Sequence, residues 1–196
     1  MFAGIAGMRL TALDVIELTW LAFVLYWFFS ALRVKKMKTR EPAVQRLACL
    51  LGIALAAALL YALAPHAFLH GRFLPRMRRL GILGASLTVA GVAFAIWARA
   101  HIGQYWSASV ALREGHRLIR TGPYAHIRHP IYSGVLLALA GTCLATGSYR
   151  AITLLAVVLA GLTVKARKEE ALLSGEFGPA FDEHRRRTGF FLPKFS

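Results

Sequence analysis

Acidic residues and cysteines are scarce in this chain. Nine Asp and Glu stand against 24 Lys and Arg, and 196 residues hold two cysteines. Cys49 and Cys143 lie far apart, each inside an apolar run, with no C-x-x-C or related spacing. That excludes a thiolate metal site and a disulfide framework, so no metal ligands are expected and both cysteines read as small buried apolar residues. No Gly-rich dinucleotide loop follows a strand-like run, which excludes a Rossmann-type nucleotide domain. Internal repeats and low-complexity tracts are missing as well.

Apolar residues, by contrast, make up 57% of the chain, and the mean hydropathy is +0.53. A soluble domain carries about half. Charge is gathered into the links between apolar runs, a pattern that points to one compact integral membrane domain spanning residues 1–196. The net charge of +15 would suit nucleic acid. Here the basic residues flank hydrophobic segments, so membrane topology and anionic headgroups account for them and no nucleic-acid partner is expected.

The expected fold class is all-α: a polytopic transmembrane helical bundle of about five spans. Residues 11–32 form the first. Asp14 and Glu17 near its start, with the row of Trp20, Tyr26, Trp27 and Phe28, argue for a retained anchor rather than a cleaved signal peptide. Residues 47–64 are the second, an unbroken apolar run. Residues 80–97 are the third, with Gly81, Gly84 and Gly91 available for close helix approach. Residues 131–147 form the fourth and 151–164 the fifth. That last run rises only about 21 Å at 1.5 Å per residue, short of the ~30 Å hydrocarbon core. Either its helix continues through the charged stretch 165–170, or a tilted hairpin barely spans. The tail, 176–196, mixes Arg185, Arg186 and Arg187 with Phe190, Phe191 and Leu192, as a segment lying on the interface would.

The positive-inside rule then sets orientation. With the N-terminus outside and five crossings, the larger share of Lys and Arg falls on the cytoplasmic links and tail, together with the C-terminus. If the chain is bacterial, the membrane is the inner one. Arg72, Arg76, Arg78 and Arg79, in the second loop, which falls outside, run against this assignment.

Residues 116–134, HRLIRTGPYAHIRHPIYSG, pack imidazoles, guanidiniums and two tyrosines between apolar runs. Polar groups at a bilayer edge are costly unless they bind something, so this is the default site. Gly122-Pro123 marks a turn. Pro130 suits the first position of a helix. Arg128 and His129 would then sit at a helix N-terminus, where unpaired N–H groups and the dipole favour a carboxylate or phosphate.

Here a resemblance enters. His116-x-Leu118-Ile119, Gly122-x-Tyr124 and Arg128-His129-Pro130-x-Tyr132 are similar to motifs of the isoprenylcysteine carboxyl methyltransferase family of membrane enzymes. Ile102-Gly103-x-x-Trp106-Ser107 before them, and Glu169-Glu170 with Phe177-Gly178 after them, follow in the family's order. The similarity covers roughly the half from Arg99 onward. It implies three N-terminal spans in 1–98 and a methyltransferase-like half in 99–196.

The resemblance also implies S-adenosylmethionine as cofactor, S-adenosylhomocysteine as product, and a lipophilic or lipid-linked acceptor, with a carboxylate as the methylated group. On this reading His116, Leu118, Ile119, Gly122, Tyr124, Arg128, His129, Tyr132, Glu169 and Glu170 bind the cofactor. The residue types fit: a cationic anion contact, carboxylates for an ammonium or ribose hydroxyls, aromatic walls, and an apolar cleft for adenine. Methylating a carboxylate needs one orienting cation, and Arg167, with Lys165 beside it, is placed for that; Arg167 and Glu170 are the expected catalytic pair. Phe181 and His184 depart from the two tyrosines the family tends to carry after Phe-Gly.

Bland readings stand beside these. His116 and His126 suit solvated loop positions, Arg128 a lipid phosphate, and Trp106 an interface anchor. Glu169 and Glu170 suit an exposed helix face, with Glu169 pairing Lys165 one turn earlier. A sterol-type membrane reductase, which shares Arg-His-Pro-x-Tyr, and a non-catalytic lipid-binding membrane protein are the alternative functions. Small thiols, amines and phospholipid headgroups are the alternative acceptors.

Overall fold

The computed structural model describes residues 10–31, 71–103 and 118–195. The expected second span, 47–64, lies outside the described residues, as do Cys49, Trp106 and His116. Five α-helices account for most of the rest: α1 (Ala12–Ala31), α2 (Arg78–Ile102), α3 (Pro130–Thr146), α4 (Tyr149–Phe177) and α5 (Pro179–Arg187). A short 3-10 turn, Gly122–Ala125, precedes α3. Among the described residues there are no β-strands, only two isolated bridges.

Local chemistry sets the helix ends. Thr11 and Asp14 form a reciprocal capping box at the start of α1: Thr11 N–H donates to Asp14 Oδ2 at 2.7 Å and Asp14 N–H to Thr11 Oγ1 at 3.2 Å. Asp14 is therefore a cap residue. Pro130 opens α3 with His129 as its N-cap, as the Arg-His-Pro order predicts. Gly147 closes α3 in the left-handed conformation at φ 58°, which a side chain would strain. Ser148 then caps α4 by accepting from Ala151 N–H at 3.3 Å.

Three helices, α1, α2 and α4, are long and apolar enough to cross a membrane; α3 is apolar but shorter, at 17 residues. Of the two readings of 151–164, the continuous helix is the one found, running to Phe177 through Lys165, Glu169 and Glu170. Ala, Leu, Lys and Glu are good helix formers, so charge alone does not end the helix.

The tightest pairing is α2 against α3. A Cβ added at Gly84 would lie 2.5 Å from Gly141 O, and one at Gly134 would lie 2.6 Å from Gly91 O, so backbone meets backbone without side chains between. Such close approach takes the place of hydrophobic drive between helices in lipid. Thr88, fully buried, bonds Gly84 O at 2.9 Å and Ala138 O at 3.2 Å across this seam. Trp20 Nε1 donates to Thr142 Oγ1 at 3.1 Å and ties α1 to α3. Gly81 instead faces Ala12 of α1.

α1 and α2 run parallel, since Gly81 meets Ala12 at one end while Arg99 Nη2 donates to Ser30 O (2.9 Å) at the other. α3 runs antiparallel to α2, pairing Gly84 with Gly141 and Gly91 with Gly134. These directions bring the end of α2, the 3-10 turn and the start of α3 to one end of the bundle.

Candidate active site

At that end the C-terminal segment folds back over the start of α3. Arg128 N–H donates to Gly189 O (2.8 Å), His129 N–H to Phe190 O (3.3 Å) and Gly189 N–H to His126 O (2.9 Å). Ser133 Oγ donates to Phe191 O at 2.6 Å. The N–H groups of Arg128 and of the N-cap His129 are thus satisfied by the chain itself.

Side chains converge on the same point. Glu170 Oε1 accepts from Arg128 Nε at 2.6 Å and lies 3.2 Å from His129 Nε2. Because a carboxylate only accepts, that contact places the hydrogen on Nε2. His129 Nδ1 faces the other carboxylate, Glu169 Oε2, at 3.7 Å. Tyr132 Oη donates to Glu169 Oε1 at 2.7 Å, and Lys165 Nζ lies 3.8 Å from that oxygen and 5.4 Å from the centroid of the Tyr132 ring. The Tyr132 ring stacks on the His129 imidazole, with centroids 5.5 Å apart and planes 3° apart. Phe190 meets the imidazole edge-on at 5.1 Å, and Arg128 lies over the Phe190 ring. Arg128 Nη1 also donates to Arg185 O at 3.1 Å and to Thr188 O.

The side chains of Arg128 and His129 thus both meet a carboxylate of the chain itself, Glu170. Arg128, His129, Tyr132, Glu169 and Glu170 come together. Tyr124 is buried beside them with Ala98 and Ile131, and Ile119 and Tyr132 pack on that group. Burial first, and the Glu169 carboxylate second, hold the Tyr124 phenol well above its ordinary pKa. It stays protonated, with Oη 3.4 Å from Ala98 O. Gly122 packs against the His101 ring, and His101 Nε2 meets Thr121 Oγ1 at 2.9 Å. Leu118 is half-buried nearby in sequence and joins none of these contacts.

Arg167 also stands outside the cluster. It is exposed on α4, with no bonded partner among the described residues, whereas Lys165 faces Glu169 and Tyr132. Lys165 lies one helical turn before Glu169 and shares its face. Glu169 and Glu170 do not form an exposed helix face, although the pairing of Glu169 with Lys165 is found. Phe181 and His184, where the family motif changes, are buried packing residues. Sequence reading missed Phe190 and Phe191 as walls of the imidazole. Their position beyond α5 gives no spacing signal toward residue 129.

This donor set suits a cationic amino-acid nucleoside. Two carboxylates can take an ammonium or ribose hydroxyls, and the Tyr132 and Phe190 rings can face a sulfonium.

Residues 83–175 match the model of the Isoprenylcysteine carboxyl methyltransferase (ICMT) family. The chain is 33% identical, over 62% of its length, to the cobalt-zinc-cadmium resistance protein CzcN of Cupriavidus metallidurans, covering 51% of that relative. To the protein-S-isoprenylcysteine O-methyltransferase of Schizosaccharomyces pombe it is 31% identical over 46% of its length, covering 40% of the relative. The chain thus spans about half the length, or less, of the curated relatives it matches. A solved structure of the eukaryotic intramembrane Ras methyltransferase ICMT shares the fold at a TM-score of 0.56 and 16% identity, over 94% of this chain and 67% of that one. The chain thus shares its fold with the solved ICMT structure, and its residues 83–175 are similar to the isoprenylcysteine carboxyl methyltransferase family.

Proposed function

We propose that the chain is an integral membrane methyltransferase that uses S-adenosylmethionine and methylates a lipophilic acceptor, with a carboxylate as the favoured group. The observation that carries this reading is the meeting of Arg128, His129, Tyr132, Glu169 and Glu170 at one end of apolar helices.

The cofactor, when bound, supplies an electrophilic methyl on sulfonium. That methyl would be the group an acceptor carboxylate takes up, giving an ester. The chain need not move a proton. Its task is to hold the acceptor in line and keep water out, and positioning of that kind can be worth roughly 7–11 kcal/mol. Glu169 and Glu170 would bind the cofactor's ammonium or ribose hydroxyls. Tyr132 and Phe190 would wall the sulfonium, and Ile119 and Tyr124 the apolar part. Lys165, rather than Arg167, would orient the acceptor's negative end, because it is the cation that faces the cluster. Cytoplasmic placement of the site rests on the distribution of Lys and Arg along the links.

S-adenosylhomocysteine binding to the purified full-length protein tests the reading. Wild type should bind, and His129→Ala should lose binding while remaining helical and monodisperse. Absence of binding by wild type would remove the proposal. The relative from Schizosaccharomyces pombe, a protein-S-isoprenylcysteine O-methyltransferase, makes a prenylcysteine-type carboxylate the first acceptor to supply in a transfer assay.

A further inference from the structure

The end of the bundle remote from the carboxylate cluster carries a feature the methyltransferase reading does not use. Residues 71–77 lie against the link between α3 and α4. Phe73 N–H donates to Gly147 O at 2.9 Å and Tyr149 N–H to Gly71 O at 3.2 Å, while Arg72 and Ser148 form an antiparallel bridge. This pairing gathers Arg72 and Arg150 onto one rim with Arg76, Arg78 and Arg79 at the start of α2. All five are exposed. Among the described residues, no carboxylate pairs with Arg72, Arg76, Arg78 or Arg79. Asp14, the acid at the start of α1, is engaged by Thr11 through its own Oδ2.

Below the rim the surface turns apolar within one or two helical turns. Ile82 and Leu83 on α2, and Ile152 and Leu154 on α4, are all exposed. Phe73 and Tyr149 pack with ring centroids 5.8 Å apart at the boundary, where aromatic residues sit at headgroup level. Charge above and hydrocarbon below is the profile of a phospholipid. Guanidinium forks match phosphate oxygens in geometry as well as charge.

We infer that this arginine rim binds the phosphate headgroups of anionic phospholipids, with their acyl chains lying along the exposed apolar faces of α2 and α4. A free anion would use the charge alone, whereas a phospholipid meets both the charge and the apolar border below it. The rim thereby holds the far end of the bundle at its own leaflet. It also gives a purpose to the arginines that the charge rule for topology leaves unexplained.

The test uses the full chain in phosphatidylcholine nanodiscs, with and without phosphatidylglycerol. Phosphatidylglycerol should raise the wild-type Tm by about 2–4 °C. Arg76→Gln/Arg78→Gln/Arg79→Gln should lose most of that shift while melting like wild type in phosphatidylcholine alone. A full shift in the triple variant, no shift in wild type, or an equal shift from inorganic phosphate in phosphatidylcholine discs would overturn the inference. Native mass spectrometry gives a second reading that does not depend on unfolding: wild type should retain phosphatidylglycerol where the variant sheds it, and equal retention would overturn the inference.

Discussion

Arg128 and Glu170, 42 residues apart in sequence, meet with Nε donating to Oε1 at 2.6 Å, and their side chains are only 12% and 15% exposed. The pair joins the start of α3 to α4, and Arg128 continues to the backbone of Arg185 and Thr188. Removing one partner leaves the other charge largely cut off from water. Arg128→Met should therefore cost roughly 1–3 kcal/mol, the range for a partner lost from a largely buried polar group, since Glu170 keeps its contact with His129. Arg128→Met/Glu170→Leu should recover part of the loss, because no lone charge remains. Unfolding curves of both variants in one detergent check this, and a double variant less stable than the sum of its parts would refute it.

Backbone contact at the α2–α3 seam makes a second prediction. A methyl at Gly141 would lie 2.6 Å from Gly84 O and Thr88 N, whereas one at Gly161 on α4 meets nothing within 4 Å. Gly141→Ala must push the helices apart, and overpacking costs typically about 1–3 kcal/mol. Gly161→Ala should be neutral or slightly stabilising. Paired thermal melts separate the two.

These results show where the sequence could be read and where it could not. Apolar runs and their flanks mark α1, α2, α3 and α4 because helix length is tied to bilayer thickness. Pro130 marks the start of α3 because its ring suits only the first turn. The motif order brings Arg128, His129, Tyr132, Glu169 and Glu170 forward together. What stays hidden depends on rotation and return of the chain. The facing of Lys165, rather than Arg167, depends on which side of α4 turns to α3. The aromatic wall of Phe190 and Phe191 depends on the tail folding back to pair Gly189 with Ile127. The carboxylate that meets Arg128 and His129 could not be foreseen as internal, since Glu170 follows its partners by a whole helix and a half.

His184 supplies a pH dependence. It is buried, and its pKa is held below the usual 6.5, by burial first and then by Arg120 and Arg128, with Glu170 opposing. The folded state thus binds the proton more weakly than the unfolded chain does. The stability this contributes is fully present above the unfolded value and is lost as pH falls through 6.5 toward the lowered folded value. Acidification across that window should loosen α5 and the tail. His184→Gln should flatten the response between neutral and mildly acidic pH. Limited proteolysis of the tail as a function of pH reads it directly, and an unchanged slope in the variant would count against it.

The choice between Lys165 and Arg167 is the sharpest test of how the acceptor is held. Lys165 Nζ lies 3.8 Å from Glu169 Oε1 and over the Tyr132 ring, at the edge of the cluster, while Arg167 is exposed and joins no contact there. If Lys165 orients the acceptor carboxylate, Lys165→Ala should lower kcat/KM by at least about tenfold, equivalent to about 1.4 kcal/mol of transition-state stabilisation. Its affinity for S-adenosylhomocysteine should stay within a few-fold, because that ligand carries no acceptor. Arg167→Ala should match wild type in both measurements. Lys165→Arg keeps the charge and should recover much of the rate, as a purely structural role for the lysine would not require. Should Arg167→Ala be the variant that loses turnover, the acceptor must approach from the exposed side of α4 and not across Tyr132.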